Sequence, residues 1–144
     1  MLVSTKGRYA LRVMLELAQS DPTRYIPLPQ IAAKQEISEK YLESIISVLA
    51  KAGLVEGLRG KGGGYRLSRP PEEYAVGEIL RLAEGSLAPV ACLDGETNVC
   101  PRAGKCTTLP MWEHLDNLIN GYLDSVSLEA LLQQVADSGK GVTV

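Results

Sequence analysis

The chain has 144 residues, of which 45% are hydrophobic and 22% are charged. This length is close to that of one domain and is enough to bury a core without disulfide or metal staples. The sequence has no apolar run of about 18 residues and does not begin like a secretory signal, so we expect a cytoplasmic protein without membrane segments. It has one histidine and no recognisable catalytic signature, which argues against an enzyme.

The net charge of −2 hides an uneven distribution of charge along the chain. Residues 1–70 carry 11 Lys or Arg against 6 acidic residues, which gives +5, whereas residues 71–144 carry 4 against 11, which gives −7. An acidic chain therefore contains a basic half. This asymmetry predicts a basic, nucleic-acid-binding domain followed by an acidic partner or regulatory region.

Three helices are predicted in the basic half. Apolar residues at helical spacing predict a helix over 5–19 and a short one over 28–35. After a tight turn, Ser38 caps a third helix that ends at Gly53. The buried stripe of this third helix is expected to consist of Leu42, Ile45, Ile46 and Leu49.

The apolar period changes after the third helix. Residues 54–59 and 65–67 read as two strands, and the glycine-rich run over 60–64 reads as the loop between them. Three helices followed by a two-stranded hairpin is the layout of a winged helix-turn-helix. We therefore predict a mainly α fold with a small β-hairpin, with a DNA-binding domain over 1–84.

The acidic half contains a loop, a long helix and a short helix. A helix over 75–84 completes the first domain, and residues 85–107 form an irregular loop that contains all three cysteines. A long helix follows at 109–123 and a short one at 128–135, which together make up a region over 108–135, with a tail over 136–144. One apolar face of the long helix is formed by Met111, Leu115, Leu118, Ile119 and Tyr122.

The candidate DNA-contacting residues lie on the third helix, opposite its buried stripe, and at the tip of the hairpin. Lysine, arginine, tyrosine and serine suit phosphate contacts, while serine and glutamate also reach base edges, and glycines allow close approach of the backbone. A helix-turn-helix pattern alone also occurs at plain helical corners, but its combination with a basic wing favours DNA. The candidates are Ser38, Lys40, Tyr41, Glu43, Ser44, Ser47, Arg59, Lys61, Gly62 and Gly63.

Cys92, Cys100 and Cys106 lie together in the predicted loop. Reduced structural thiols are one interpretation, although a loop rich in Gly and Pro is a poor place to bury them. A disulfide would be transient in a reducing compartment, and zinc usually takes cysteines separated by two residues. Three cysteines of one loop can also converge on an iron–sulfur cluster, for which the spacing varies.

Four segments of the chain, together with the loop of three cysteines, match one known family. The segments are Ser4-Thr5-Lys6-Gly7-Arg8-Tyr9-Ala10, Ile37-Ser38-Glu39-Lys40-Tyr41-Leu42-Glu43, Gly53-Leu54-Val55 and Arg59-Gly60-Lys61-Gly62-Gly63-Gly64-Tyr65. Over about residues 2–135, the chain resembles the IscR-type winged-helix transcription regulators of the Rrf2 family. This resemblance implies a homodimer whose long helices form the dimerisation region and which binds a pseudo-palindromic double-stranded DNA operator. It also implies that Ser38, Lys40, Tyr41, Glu43 and the wing around Arg59 contact DNA.

In cluster-binding members of this family, the three loop cysteines hold an iron–sulfur cluster that alters DNA binding. We therefore expect a [2Fe-2S] cluster, rather than [4Fe-4S], on the three cysteines. Two positions depart from the family pattern for a fourth ligand: Leu109 stands where IscR has a histidine, and Arg8 stands where nitric-oxide sensors have an acidic residue. The alternative is a cluster-free regulator that senses thiol redox state, zinc or a partner protein of cysteine metabolism.

Overall fold

The computed structural model describes residues 3–95 and 101–138. These residues form helices and one antiparallel hairpin, which confirms the prediction of a mainly α fold. The elements are α1 (Thr5–Ala18), α2 (Leu28–Gln35), α3 (Glu39–Lys51), β1 (Val55–Leu58), β2 (Gly64–Leu67), α4 (Val76–Glu84), α5 (Leu109–Ser125) and α6 (Leu128–Ser138).

Helix α1 packs against α2, α3, α4, α6 and the hairpin. Ser4 caps it, because its hydroxyl oxygen accepts a hydrogen bond from the Gly7 backbone N–H at 3.2 Å. The backbone N–H and the hydroxyl of Ser4 in turn donate to one carboxylate oxygen of Glu84, at 2.8 and 2.7 Å. The start of α1 is therefore joined to the end of α4, and the two helices pack along each other.

Helices α2 and α3 form the predicted helix-turn-helix. The turn is short because Glu36 takes a left-handed conformation with φ of 56°, which ends α2 at once. Ser38 caps α3 as predicted, and its hydroxyl oxygen accepts from the Tyr41 backbone N–H at 3.1 Å. The predicted stripe is fully buried in the main core and consists of Leu42, Ile45, Ile46 and Leu49.

The hairpin packs against the start of α2. Its strands pair in antiparallel register from Val55 opposite Leu67 to Leu58 opposite Gly64. The next residue, Tyr65, also exchanges two backbone hydrogen bonds with Ile26, at 2.8 and 2.9 Å. Gly64 has a φ of +149°, and a Cβ there would overlap the carbonyl oxygen of Ile26. Only glycine allows the wing to lie this close to the segment before α2.

The last helix, α6, packs against α1. The segments before α4 and α6 pair as a short bridge, in which the Val76 N–H donates to the Val126 carbonyl at 2.8 Å and the Leu128 N–H donates to the Tyr74 carbonyl at 3.1 Å. Leu128 is fully buried in the main core. Helix α6 extends beyond the predicted end at residue 135 and includes Ser138, since no helix-breaking residue occurs between these two positions.

The segment between α4 and α5 is less irregular than expected. A short 3-10 turn at Ala91–Leu93 interrupts it. A second apolar cluster beside the segment is built on buried Val76, Leu80 and Leu87, and residues of α5 and α6 pack against that cluster. Within the described ranges, no helix combines the length and the apolar character needed to cross a membrane.

Candidate nucleic-acid interface and cysteine loop

Helix α3 presents an exposed polar face to solvent. Lys40, Glu43 and Ser47 are exposed, and they lie opposite the buried stripe of the same helix. None of these three side chains forms a hydrogen bond or an ion pair with the residues that the structure describes. A cation, a carboxylate and a hydroxyl are therefore available to groups outside the chain, as direct reading of a DNA groove requires.

The first turns of α3 are stiffened by their own side chains. Besides the cap from Ser38, the Ser44 hydroxyl donates to the carbonyl oxygen of Tyr41 at 2.7 Å. The Tyr41 ring is half-buried and meets the Tyr9 ring edge to face, with centroids 5.9 Å apart. Ser38 and Ser44 remain exposed, so these two hydroxyls support the helix and also lie at its surface.

The wing places two cations at the tip of the hairpin. Arg59 and Lys61 are exposed, and Gly62 has a φ of +78°. The Gly63 N–H donates to the Gly60 carbonyl at 3.0 Å, which closes the tip into a tight turn. A turn this narrow, with glycine backbone on its surface, allows close approach to a duplex.

Helix α3 is the second helix of the helix-turn-helix and is called the recognition helix below. A cleft of about 450 Å³ lies between this helix and the wing. Of the predicted residues, the structure brings Glu43 and Gly63 together in this cleft, whereas the other eight lie outside its lining. The other eight residues that line the cleft were not among the predicted candidates, and they include Glu39 and the half-exposed Leu58. Glu39 could have been found from sequence, because it lies four residues before Glu43 on the same helical face.

Two of the three cysteines belong to the described part of the chain, one before residues 96–100 and one after them. Cys92 lies in the short 3-10 turn, and Cys106 lies just before α5; both are free thiols and half-buried. Cys100 lies outside the described residues. Among residues 3–95 and 101–138, no three Cys, His, Asp or Glu side chains converge into a metal site.

The surroundings of Cys106 favour its thiolate. Hydrogen bonds from the hydroxyl and the backbone N–H of Thr108 lower the pKa of the Cys106 thiol, and the nearby Arg102 acts in the same direction. The Cys106 sulfur lies 3.3 Å from the Thr108 hydroxyl oxygen. A thiolate is the form that binds metals and attacks oxidants.

Cys92 lines a cavity of about 360 Å³ that is shared with the first turns of α5. Two carboxylates of α5, from Glu113 and Asp116, line the same cavity. His114, the histidine of the chain, is exposed on α5 and does not line it. The cavity therefore combines a thiol with oxygen donors rather than with a histidine.

Helix α5 has an exposed apolar stripe. Among its residues, Met111, Leu115, Leu118 and Tyr122 have between 38% and 65% of their surface exposed, and no residue of the helix is buried. Ile119, the remaining predicted member, packs against the second apolar cluster. A stripe of this kind on a 17-residue helix is typical of a surface that pairs with another protein.

A helix-turn-helix with an exposed recognition helix and a basic, glycine-rich wing defines a winged-helix DNA-binding protein. The family model described as "Rrf2: Iron-dependent Transcriptional regulator" matches residues 3–134. The chain therefore belongs to the Rrf2 family of transcriptional regulators, which are not enzymes.

Known proteins agree with this assignment. The HTH-type transcriptional regulator IscR of Aliivibrio salmonicida is 39% identical over 142 residues, which cover 95% of this chain and 83% of that protein. The structure of CymR, the global cysteine regulator of B. subtilis, matches with a TM-score of 0.75 and 35% identity, covering 93% of this chain and 98% of that one. T. potens IscR matches equally well, with a TM-score of 0.75 and 35% identity over 100% of this chain and 94% of that one.

Proposed function

We propose that this chain is a homodimeric transcription regulator whose binding to a pseudo-palindromic DNA operator is controlled by an iron–sulfur cluster on Cys92, Cys100 and Cys106. The observation that carries the proposal is the position of the cysteine loop. The loop joins α4, which packs on helix α1 of the DNA-binding domain, to α5, which has the exposed apolar stripe. A change in the loop therefore acts on the link between the DNA-binding domain and the dimer contact.

DNA binding rests on the exposed side chains of α3 and the wing. In the proposed complex, Lys40 and Tyr41 donate to phosphates, Ser38, Ser44 and Ser47 contact phosphates or base edges, and Glu43 accepts from a base amino group. The wing approaches the adjacent backbone through Arg59, Lys61, Gly62 and Gly63. Binding to chromosomal DNA assigns the protein to the cytoplasm.

Dimerisation rests on the apolar stripe of α5. Pairing with a second copy would bury Met111, Leu115, Leu118 and Tyr122, which the chain alone leaves in water. A two-fold dimer would present two recognition helices to successive major grooves, about 34–36 Å apart. The symmetry of the protein would then match the symmetry of the operator.

The donor chemistry fits an iron–sulfur cluster. Cys106 is held toward its thiolate form by Thr108, and Cys92 faces an open cavity rather than a packed core. When bound, such a cluster supplies a redox-active link between the thiolates of the loop. The cysteines would hold it, and the first turns of α5, which line the same cavity, would hold the loop in one conformation.

In this proposal, Arg81 of α4 connects the cysteine loop with α5, the helix that forms the dimer contact. Its guanidinium donates to Asn120 at 2.8 Å and also pairs with Asp124, both on α5. Asn120 in turn donates to the carboxylate of Asp116, which lines the Cys92 cavity. A rearranged loop would change these contacts and thereby the relative position of the two recognition helices.

The test is a measurement of iron and acid-labile sulfide per chain, with a visible spectrum, on protein purified without oxygen. The proposal predicts equal amounts of iron and sulfide, together with absorption bands that Cys92→Ala, Cys100→Ala and Cys106→Ala each abolish. Thr107→Val, an exposed change in the same loop, is the matched control and keeps the bands. Affinity for an operator selected from random duplexes should then differ between loaded and cluster-free protein.

A second function is favoured by one specific observation, the lowered pKa of the Cys106 thiol. It is a cluster-free regulator that senses thiol oxidation, zinc or a partner protein of cysteine metabolism. The similarity to CymR, the global cysteine regulator of B. subtilis, supports such a role. Zinc without sulfide, or a disulfide that forms with oxidant in metal-free protein, would support this function and contradict the cluster.

A further inference from the structure

Arg12 of α1 holds the last residue of α2. Its Nε donates to the side-chain oxygen of Gln35 at 2.8 Å, and its Nη2 donates to the backbone carbonyl oxygen of the same residue at 3.0 Å. One guanidinium therefore binds both the side chain and the main chain of Gln35. Hydrogen bonds from a charged donor are stronger than neutral ones, and the planar fork fixes their direction.

Glu16, one helical turn after Arg12, binds the other end of the Gln35 side-chain amide. The Gln35 amide nitrogen donates to a carboxylate oxygen of Glu16 at 2.8 Å. Lys34 lies 3.3 Å from the other oxygen of the same carboxylate. The amide of Gln35 is thus held at both ends by two residues of α1 with opposite charge.

Glu36, the residue after Gln35, sets the direction of the recognition helix. Glu36 has a φ of 56°, a conformation that residues other than glycine adopt only when their surroundings impose it. Ser38 already caps α3, so the turn is too short to compensate for a change in the direction of the chain at Glu36. Any freedom at Gln35 would therefore become an angular freedom of α3.

A second route from Arg12 leads to α3 itself. The Arg12 guanidinium carbon lies 4.6 Å from the centroid of the Tyr9 ring, a cation–π contact. The Tyr9 ring meets the Tyr41 ring edge to face, at an interplanar angle of 87°. Tyr41 belongs to the first turn of the recognition helix. Arg12 thus supports both the turn before α3 and an aromatic side chain on α3.

We propose that Arg12 is a positioning residue for the recognition helix. Through its hydrogen bonds to Gln35 and its cation–π contact with Tyr9, Arg12 fixes the angle at which α3 presents its polar face to the major groove, without touching DNA itself. The inference rests on the proposed DNA interface of α3. It distinguishes Arg12 from a phosphate-contacting arginine, because its Nε and Nη2 already bind Gln35.

The experiment compares specific and non-specific DNA binding. Wild-type protein first selects its strongest site from a library of random duplexes, and poly(dI-dC) serves as non-specific DNA. Binding of both DNAs is measured between low and high salt for Arg12→Ala, Gln35→Ala and the double variant. Arg8→Ala is the matched control, because Arg8 is exposed on the same helix and its hydrogen bond in the described structure is a long one of 3.4 Å to Thr5.

Positioning predicts that Arg12→Ala weakens binding to the selected site about tenfold, the factor that corresponds to about 1.4 kcal/mol. Binding to poly(dI-dC) stays within about twofold and the salt slope is unchanged, because no phosphate contact is lost. Gln35→Ala gives the same pattern with a smaller loss, because Arg12 keeps its bond to the backbone carbonyl of residue 35 and its contact with Tyr9. The double variant is no worse than Arg12→Ala, and Arg8→Ala changes neither affinity.

Three results would overturn the inference. An equal loss on both DNAs, with a slope shallower by about 0.9, would make Arg12 a phosphate contact. Additive losses in the double variant, or no loss at all, would remove the link between Arg12 and Gln35. If wild-type protein selects no preferred site, the proposed function fails first. Thermal unfolding is followed for each variant, and Arg12→Lys, which keeps the charge but loses the fork, replaces Arg12→Ala if the latter unfolds.

Discussion

The hydroxyl of Tyr74 donates a hydrogen bond of 2.6 Å to the carbonyl oxygen of Leu54, a residue 20 positions earlier in the chain. The same hydroxyl oxygen accepts the backbone N–H groups of Ser68 and Arg69, both at 3.0 Å. The ring is fully buried, and the Arg69 guanidinium carbon lies 4.3 Å from its centroid. One side chain thus joins the start of the wing, the end of the wing and the segment that leads into α4.

Replacing Tyr74 by Phe should therefore lower the free energy of unfolding by about 1–3 kcal/mol. The substitution keeps the ring but removes the hydroxyl that bonds to three partly or fully buried backbone groups. Of these groups, the Ser68 N–H and the Leu54 carbonyl keep only a long bond of 3.4 Å to each other. Urea unfolding followed by circular dichroism measures the effect. Tyr65→Phe is the control, because the Tyr65 hydroxyl makes no hydrogen bond to residues that the structure describes. Equal losses in the two variants would show that the Tyr74 hydroxyl has no special role.

The loop between α1 and α2 contains a carboxylate whose pKa is lowered by its neighbour. The Thr23 hydroxyl donates to Asp21 at 2.7 Å and the Thr23 N–H donates at 2.9 Å, and these bonds lower the pKa of the Asp21 carboxyl. Thr23→Val removes the larger contribution, so the pKa of Asp21 should rise toward its ordinary value. Thr23→Ser keeps the hydroxyl and should keep the lowered pKa. Carbon-detected NMR titration of the Asp21 carboxyl measures both variants.

The direction of the stability effect follows from the same shift. A lowered carboxyl pKa contributes stability that is fully present above the unfolded value of about 3.9 and is lost as pH falls through the folded value. Wild type and Thr23→Val should therefore differ above that range and converge below it. An Asp21 titration curve unaffected by Thr23→Val would contradict the role of the hydroxyl.

Much of the fold could be predicted because its signals are local. The period of the apolar residues in α3 and the cap at Ser38 depend only on neighbouring residues, and both are confirmed. The left-handed turn at Glu36 was also foreseen as a tight turn between two periodic segments. The hairpin was foreseen because its glycine-rich loop separates two short runs of strand-forming residues.

The remaining features depend on contacts between distant parts of the chain. The bonds from Ser4 to Glu84 join residues 80 positions apart, and no local pattern indicates them. The cleft between α3 and the wing exists only once Ile26 and Tyr65 pair. The apolar face of α5 was read correctly as apolar. Sequence could not show that Ile119 packs within the chain while Leu118 stays exposed, because both belong to the same stripe.

The exposed stripe of α5 predicts the outcome of a charge substitution. Leu118 is 55% exposed in the single chain, and pairing of two copies would bury it. Leu118→Glu should raise the dissociation constant of the dimer about 100-fold or more, because a carboxylate would enter an apolar contact in each copy. Light scattering after gel filtration, over a range of concentrations, measures the change.

Val135→Glu is the matched control for this experiment. Val135 is 67% exposed on α6 and lies outside the stripe, so the added charge should leave the dimer intact. A wild-type protein that is monomeric at high micromolar concentration would contradict the proposed dimer. Equal dissociation in both variants would instead indicate an effect of net charge.

The wing and the recognition helix should contribute to DNA binding in different ways. Arg59 is exposed at the tip of the hairpin, where it can pair with phosphate. Arg59→Ala should weaken binding to all sequences alike and reduce the salt slope by about 0.9, since one released counterion is lost. Fluorescence anisotropy with the selected site and with poly(dI-dC), at several salt concentrations, measures both quantities.

Glu43 should instead determine which sequence is preferred, because it lines the cleft and a carboxylate can accept hydrogen bonds from base amino groups. Glu43→Ala should change the ranking of operator variants by about 1–3 kcal/mol at one position, with a smaller effect on average affinity. Glu72→Ala, which removes an exposed charge from the same domain but not from the cleft, should preserve the ranking. If the ranking survives in Glu43→Ala as well, sequence preference must come from other residues of α3, or from DNA shape read by the wing.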